Sequence, residues 1–259
     1  MTYPFVKGHG TENDFVIVPA EVELTPERVR ALCDRRAGIG GDGVIRAARE
    51  DGRWFMDYRN ADGSVSEMCG NGIRLFARYL RDEEGETLPL DVGTRDGVKT
   101  LTEDGDGFTV DLGRPRVLGD TKVAVSDHSW SAVHVDMGNP HAVAFLGETE
   151  DLDDAGPLHE APLHDATVYP HGVNVEFVVR RGPQHVAMRV HERGSGETRS
   201  CGTGACAAMV AAANADGAGP GSTYRVDVPG GTLTVTWTED DRVLLSGPAV
   251  IVARGETDL

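Results

Sequence analysis

Two stretches of this chain repeat one pattern. Ala61–Leu80 reads ADGSVSEMCGNGIRLFARYL, and Val190–Asn214 reads VHERGSGETRSCGTGACAAMVAAAN. Each is a polar, glycine-rich approach, a cysteine, a Gly-x-Gly step and an apolar run. In the second, Ala205–Ala213 is apolar on every face, which predicts a helix buried all round. Asn214, Asp216 and Gly217 supply its stop. In the first, Ile73, Phe76, Ala77 and Leu80 recur at helical spacing, and Leu75 and Tyr79 make a second face apolar. The echo continues downstream. Asp91–Pro115 (DVGTRDGVKTLTEDGDGFTVDLGRP) parallels Asp227–Pro248 (DVPGGTLTVTWTEDDRVLLSGP), with Asp-Val, a glycine turn, Thr-Glu-Asp and a closing Gly-Pro or Gly-Arg-Pro in both. Such an internal repeat constrains the chain to two like halves.

The 259 residues leave room for two domains of about 120–130 residues. The repeat sets them at 1–119, with a C-terminal strand 249–259 returning to the first, and 120–248, with a linker near Gly119-Asp120. The net charge is −17 and the only lysines are Lys7, Lys99 and Lys122, a balance that disfavours nucleic acid and anionic membranes as partners. No run approaches a membrane span and MTYPFVKGHG has no secretory core, so a cytoplasmic protein is expected. The histidines show no HExxH or clustered pattern and the cysteines no zinc spacing, so no metal is expected. Gly38–Gly43 matches G-x-G-x-x-G, but a helix precedes it and Val44-Ile45 starts a strand after it. This order excludes the dinucleotide fingerprint.

Cys33 and Cys206 fall in predicted helices as core residues. Cys69 and Cys201 stand apart, each at a helix start, where unpaired N–H groups and the helix dipole favour negative charge. That setting is expected to lower a thiol pKa from about 8.5 toward the thiolate range. Two thiols in pseudo-symmetric halves suggest an acid–base pair acting on one carbon from opposite sides, which inverts a stereocentre. The N–H groups of Gly70, Asn71, Gly202 and Thr203 are expected to cradle a carboxylate.

Motifs along the whole chain carry a family resemblance: KGHGTENDF, GIGGDG, RNADGSVSEMCGNGIR, DMGNPHAV, GVNVEF, HERGSGETRSCGTGACAA and a Val-Pro-Gly-Gly turn, in that order. The chain resembles the diaminopimelate epimerases, which interconvert LL- and meso-diaminopimelate without a cofactor in lysine and cell-wall precursor synthesis. The resemblance implies an α+β fold of two pseudo-symmetric domains, each a mixed β-sheet wrapped around a central helix, with the active site in the interdomain cleft. It implies Cys69 and Cys201 as catalytic thiols, and Gly70-Asn71 and Gly202-Thr203 as the α-carboxylate clamp. Asn13, Asn60, Asn139, Asn174 and the pair Glu192-Arg193 match substrate contacts, and His141 and Glu192 match positions that tune the cysteines. It also implies a homodimer. Glu12, Gly43 and His191 depart from the family's usual glycine, glutamine and aromatic residue. Same-fold isomerases of the proline racemase or phenazine-biosynthesis kind, a redox dithiol protein and a catalytically idle anion-binding protein are the competing readings.

Overall fold

Antiparallel hairpins joined by parallel pairings build both halves of the chain. The computed structural model describes residues 2–259. They form two units, the first running to residue 111 and including 246–259, the second covering 112–245. The first unit contains β1 (Tyr3–Gly10), β2 (Asn13–Pro19), α1 (Pro26–Cys33), β3 (Gly43–Glu50), β4 (Arg53–Asn60), α2 (Gly70–Asp82), β5 (Leu90–Thr94), β6 (Gly97–Asp104) and β7 (Gly107–Asp111). The second contains β8 (Arg116–Val125), β9 (His128–Asp136), β10 (Pro140–Phe145), β11 (Leu163–His164), β12 (Asn174–Gly182), β13 (His185–Glu192), β14 (Gly196–Thr198), α3 (Gly202–Ala215), β15 (Ser222–Val228), β16 (Gly231–Trp237) and most of β17 (Val243–Gly247). β18 (Val250–Thr257) then pairs antiparallel with β1 in the first unit.

In the first unit β1–β2, β3–β4 and β5–β6 are antiparallel, while β2–β3 and β4–β5 are parallel. In the second, β9–β10, β12–β13 and β15–β16 are antiparallel, while β10–β12 and β13–β15 are parallel. Parallel neighbours need a long crossover. α2 supplies the one between β4 and β5, and α3 the one between β13 and β15. The registers match too. Phe15 faces Gly43 and Ile17 faces Ile45 in one unit; His141 faces Asn174 and Val143 faces Glu176 in the other.

α3 is buried as its composition requires: Ala205 through Ala213 lie out of solvent. Met209 and Val210 alone are each worth about 1.5–3 kcal/mol by burial. α2 buries Ile73, Leu75, Phe76, Ala77, Tyr79 and Leu80. α1 starts as TPE predicts, with Thr25 Oγ1 accepting the Arg28 N–H at 3.3 Å and Pro26 in the first turn. It stops at Cys33 because the Asp34 side chain accepts the Arg36 and Ala37 N–H groups at 2.7 and 2.8 Å and turns the chain. Gly38–Gly43 lies between α1 and β3, outside any strand–turn–helix unit.

The linker reading of Gly119-Asp120 needs correction. Both residues lie inside β8, opposite His134 and Val133 of β9, and the register shifts between Val117 and Gly119. Gly119 has φ +118°. Its glycine serves a bulge within a continuous hairpin. Among the described residues no helix is long and apolar enough to cross a membrane.

Candidate active site

Cys69 and Cys201 are the N-caps of α2 and α3. Their backbones are nearly identical, φ −137° and ψ 120° for Cys69, φ −120° and ψ 117° for Cys201. Each sulfur accepts the N–H three residues on: Gly72 to Cys69 Sγ at 3.4 Å, Gly204 to Cys201 Sγ at 3.3 Å. The N–H groups of Gly70, Asn71, Gly202 and Thr203 belong to the first helical turns, where no preceding helical carbonyl reaches them. Each helix mouth is therefore suited to an anion.

In the first unit a run of oriented amides leads to Cys69. Arg74, fully buried, donates to Gly70 O at 3.0 Å, to Asn71 Oδ1 at 2.9 Å and to Thr11 Oγ1 at 3.3 Å. Asn71 Nδ2 donates to Asn13 Oδ1 at 3.2 Å, and Asn13 Nδ2 donates to Asp42 Oδ2 at 2.7 Å. Arg35 holds Asp42 at 2.7 Å and also grips both oxygens of Asp14. Asn13 Oδ1 lies 3.7 Å from Cys69 Sγ. Asn60 accepts from Tyr58 at 2.8 Å and donates to Ser64 at 3.0 Å at the end of β4.

In the second unit Asn139 Nδ2 donates to Thr203 Oγ1 at 3.4 Å and its Oδ1 meets His141 Nε2 at 3.0 Å. His141 Nδ1 lies 2.7 Å from Glu176 Oε1, both side chains fully buried. Asn174 accepts the Arg193 backbone N–H at 2.9 Å and donates to Pro140 O at 3.3 Å. The Arg193 guanidinium is exposed and reaches His171 O at 3.5 Å. Glu192 takes a hydrogen bond from Thr198. His191 is buried with Nδ1 2.8 Å from Leu158 O. At Gly43 any side chain would meet Tyr58 Cε2 at 2.6 Å and Arg59 O at 2.5 Å.

The protonation of Cys201 reverses the expectation for a helix mouth. Burial, then the Glu192 carboxylate, then Glu176 push its thiol well above the ordinary cysteine value, against the Thr203 hydroxyl and the Gly204 N–H. The helix terminus is present, but two carboxylates and the lack of solvent outweigh it. Burial likewise raises Glu192, against hydrogen bonds from Thr198 and Cys201. Cys33 has its thiol pushed up to about 12, chiefly by burial, as a core residue should.

Three residues were not singled out in the sequence. Arg74 and Asp42 terminate the amide run, and Glu176 floors the Cys201 helix. Arg74 lies one helical turn beyond Gly70 and Asp42 sits in the glycine loop, so a polar residue within each motif is the available signal.

The chain matches the family model described as diaminopimelate epimerase over residues 5–118 and 133–252. It is 56% identical to the diaminopimelate epimerase of Streptomyces coelicolor, covering 98% of this chain and 95% of that one. It is 48% identical to that of Corynebacterium aurimucosum, over 98% and 99%. Among solved structures, a PhzF-family phenazine biosynthesis protein from Bacillus anthracis superposes with a TM-score of 0.74 at 17% identity, covering 100% of both chains. A probable proline racemase from Agrobacterium radiobacter gives 0.74 at 14% identity, over 99% and 93%. These two share the fold.

Proposed function

The chain belongs to the diaminopimelate epimerase family, and from that premise we propose that it interconverts LL- and meso-diaminopimelate with Cys69 and Cys201 as its two acid–base groups. One observation carries the reading. Both thiols cap a helix in the same conformation and accept the same third-residue N–H. A repeated unit with one thiol per copy suits a reaction that needs one proton acceptor and one proton donor on opposite faces of a carbon.

In this mechanism one sulfur removes the α-proton as thiolate and becomes a thiol. The other gives its proton to the opposite face and becomes a thiolate. The first-turn N–H groups of Gly70, Asn71, Gly202 and Thr203 bind the α-carboxylate and stabilise the charge that spreads onto it. Asn13, Asn60, Asn139, Asn174, Glu192 and Arg193 take the remaining polar groups of substrate. An exposed Arg193 guanidinium suits the distal carboxylate. His141 and Glu192 act on the cysteines through their charge. The chemistry calls on neither pyridoxal phosphate nor a metal, so activity should survive dialysis against chelator. A cytoplasmic homodimer completes the reading and rests on the family resemblance; light scattering on the purified protein checks the dimer.

The deciding experiment is turnover of LL-diaminopimelate in heavy water. A thiol holds one proton, and the donor thiol equilibrates with solvent before it acts. Early meso product should carry deuterium at the inverted centre, while unreacted LL substrate stays largely unlabelled. Substantial protium retained in early meso product would overturn the two-thiol mechanism. A proline racemase-like activity would appear as turnover of proline and none of diaminopimelate.

A further inference from the structure

The duplication is broken directly beneath the two thiols. By register, Phe15 and Ile45 of β2 and β3 stand where His141 and Glu176 stand on β10 and β12. Under α2 the floor is carbon: a Cβ placed on Gly72 would meet Ile45 Cδ1 at 3.4 Å and Phe15 Cζ at 3.5 Å. Under α3 it is a carboxyl group: a Cβ on Gly204 would lie 2.6 Å from Glu176 Oε1 and 3.2 Å from Cys201 Sγ. Gly204 is also the residue whose N–H binds Cys201.

Glu176 is a costly choice for this place. It is fully buried, and its Oε2 has no hydrogen-bond partner among the described residues. A buried polar atom left unbonded weakens a fold, and Ile45 shows that the same position in the same architecture accepts hydrocarbon. Packing alone does not account for it.

The ring of His141 defines the proton count. Asn139 turns its nitrogen to Thr203, so its oxygen faces His141 and Nε2 carries a hydrogen. The 2.7 Å contact from Nδ1 to Glu176 then holds one more proton. The groups around this pair are His134 from β9, Glu192 from β13, Tyr169 from the segment before β12, and at the mouth of α3 the Cys201 thiol, the Thr203 hydroxyl and the Gly204 N–H. Glu176 Oε1 lies against Gly204, below Cys201.

We propose that Glu176 is a positioning residue that makes the two thiols unequal: its buried carboxylate, tethered by His141 and pressed against Gly204, keeps Cys201 protonated in the resting enzyme, whereas Cys69 stands over carbon. The proposal rests on reading both cysteines as the acid–base pair, and it adds Glu176 to burial and Glu192 as a source of the asymmetry between them.

The test is the pH dependence of iodoacetamide alkylation at Cys201, followed by peptide mass in a Cys69→Ala background. Glu176→Gln should lower the midpoint of the alkylation profile by at least half a pH unit, roughly threefold faster at a fixed pH on the rising limb. Glu176→Asp keeps the charge and should stay closer to the parent than to Glu176→Gln. Thermal melts establish that each variant is folded; if Glu176→Gln is not, Glu176→Met carries the same expectation. A smaller shift in the uncharged variant, or equal shifts in the charged and uncharged ones, overturns the proposal. The readout needs no diaminopimelate. A chain that failed to epimerise that substrate would therefore defeat the proposed function without touching this result.

Discussion

Asn13 turns its carbonyl oxygen toward Cys69 and its amide nitrogen away: Oδ1 lies 3.7 Å from Sγ, while Nδ2 donates to Asp42 at 2.7 Å. The orientation is set from both ends. Arg74 can only donate and the Asp42 carboxylate can only accept, so the two asparagines between them align in one direction. Bonds to charged groups are the stronger ones, so the two charged ends fix the direction of the run.

Asp42→Asn should therefore loosen Asn13. The new amide can donate as well as accept, so the far end of the run no longer selects one direction. The expected result is a fall in kcat/KM of roughly 10–100-fold, about 1.4–2.7 kcal/mol of transition-state stabilisation. Steady-state kinetics with a thermal melt separate this from unfolding. Unchanged kcat/KM in a folded variant would show that the amide direction is irrelevant.

Gly72 and Gly204 are equivalent in the repeat and should respond differently to alanine. At Gly72 a methyl finds ordinary contacts at 3.4–3.5 Å. The helix gains propensity there, so Gly72→Ala should be neutral or stabilising by up to about 1 kcal/mol. Gly204→Ala drives a methyl against Glu176 Oε1 and should cost about 1–3 kcal/mol along with activity. Urea titrations of the two variants make the comparison. Equal effects would mean that no carboxyl group lies beneath Gly204.

Thr11 and Glu12 form the two-residue turn between β1 and β2, with φ +48° and +61°. Left-handed backbone costs a non-glycine residue about 1–2 kcal/mol, partly returned through the stiffer unfolded chain. A glycine at the Glu12 position would carry no such cost. Glu12→Gly should raise stability by about 0.5–1 kcal/mol, measured by chemical denaturation. A loss would show that the Glu12 side chain contributes more than its backbone costs.

Beside other depressed carboxylates such as Asp57, Asp14 contributes to the acid sensitivity of the first unit. Burial alone would raise its pKa, but hydrogen bonds from Arg35 and Lys7 and their charges hold it far below the ordinary carboxylate range. A depressed folded value stabilises the fold above the unfolded pKa of about 3.9, and that stability is lost as pH falls below it. Unfolding free energy should decline from about pH 5 downward. Asp14→Asn should lose about 1–3 kcal/mol near neutrality and show a shallower decline in acid. A decline as steep as the parent's would assign the acid sensitivity to other carboxylates.

Much of this protein is local and therefore legible in sequence. The cysteine boxes name both helix caps, because a cap, a glycine step and an apolar run are short-range signals. ACAAMVAAA gives no polar face, so the burial of α3 needs no knowledge of its neighbours. The duplication, and with it two like units, is visible as a repeat, and ordered motifs identify the family. What the tertiary structure decided is the charge beneath the thiols. Arg74 resembles the polar face of a helix and Glu176 the solvent side of an alternating strand, yet both are fully buried. The partners that make burial bearable come from far along the chain, Thr11 for Arg74 across 63 residues and His141 for Glu176 across 35. The pKa of Cys201 turns on the same fact. A helix terminus is written in neighbouring residues and argues for a thiolate, whereas burial and the approach of Glu192 and Glu176 arise only when distant strands pair, and at this sulfur those effects win.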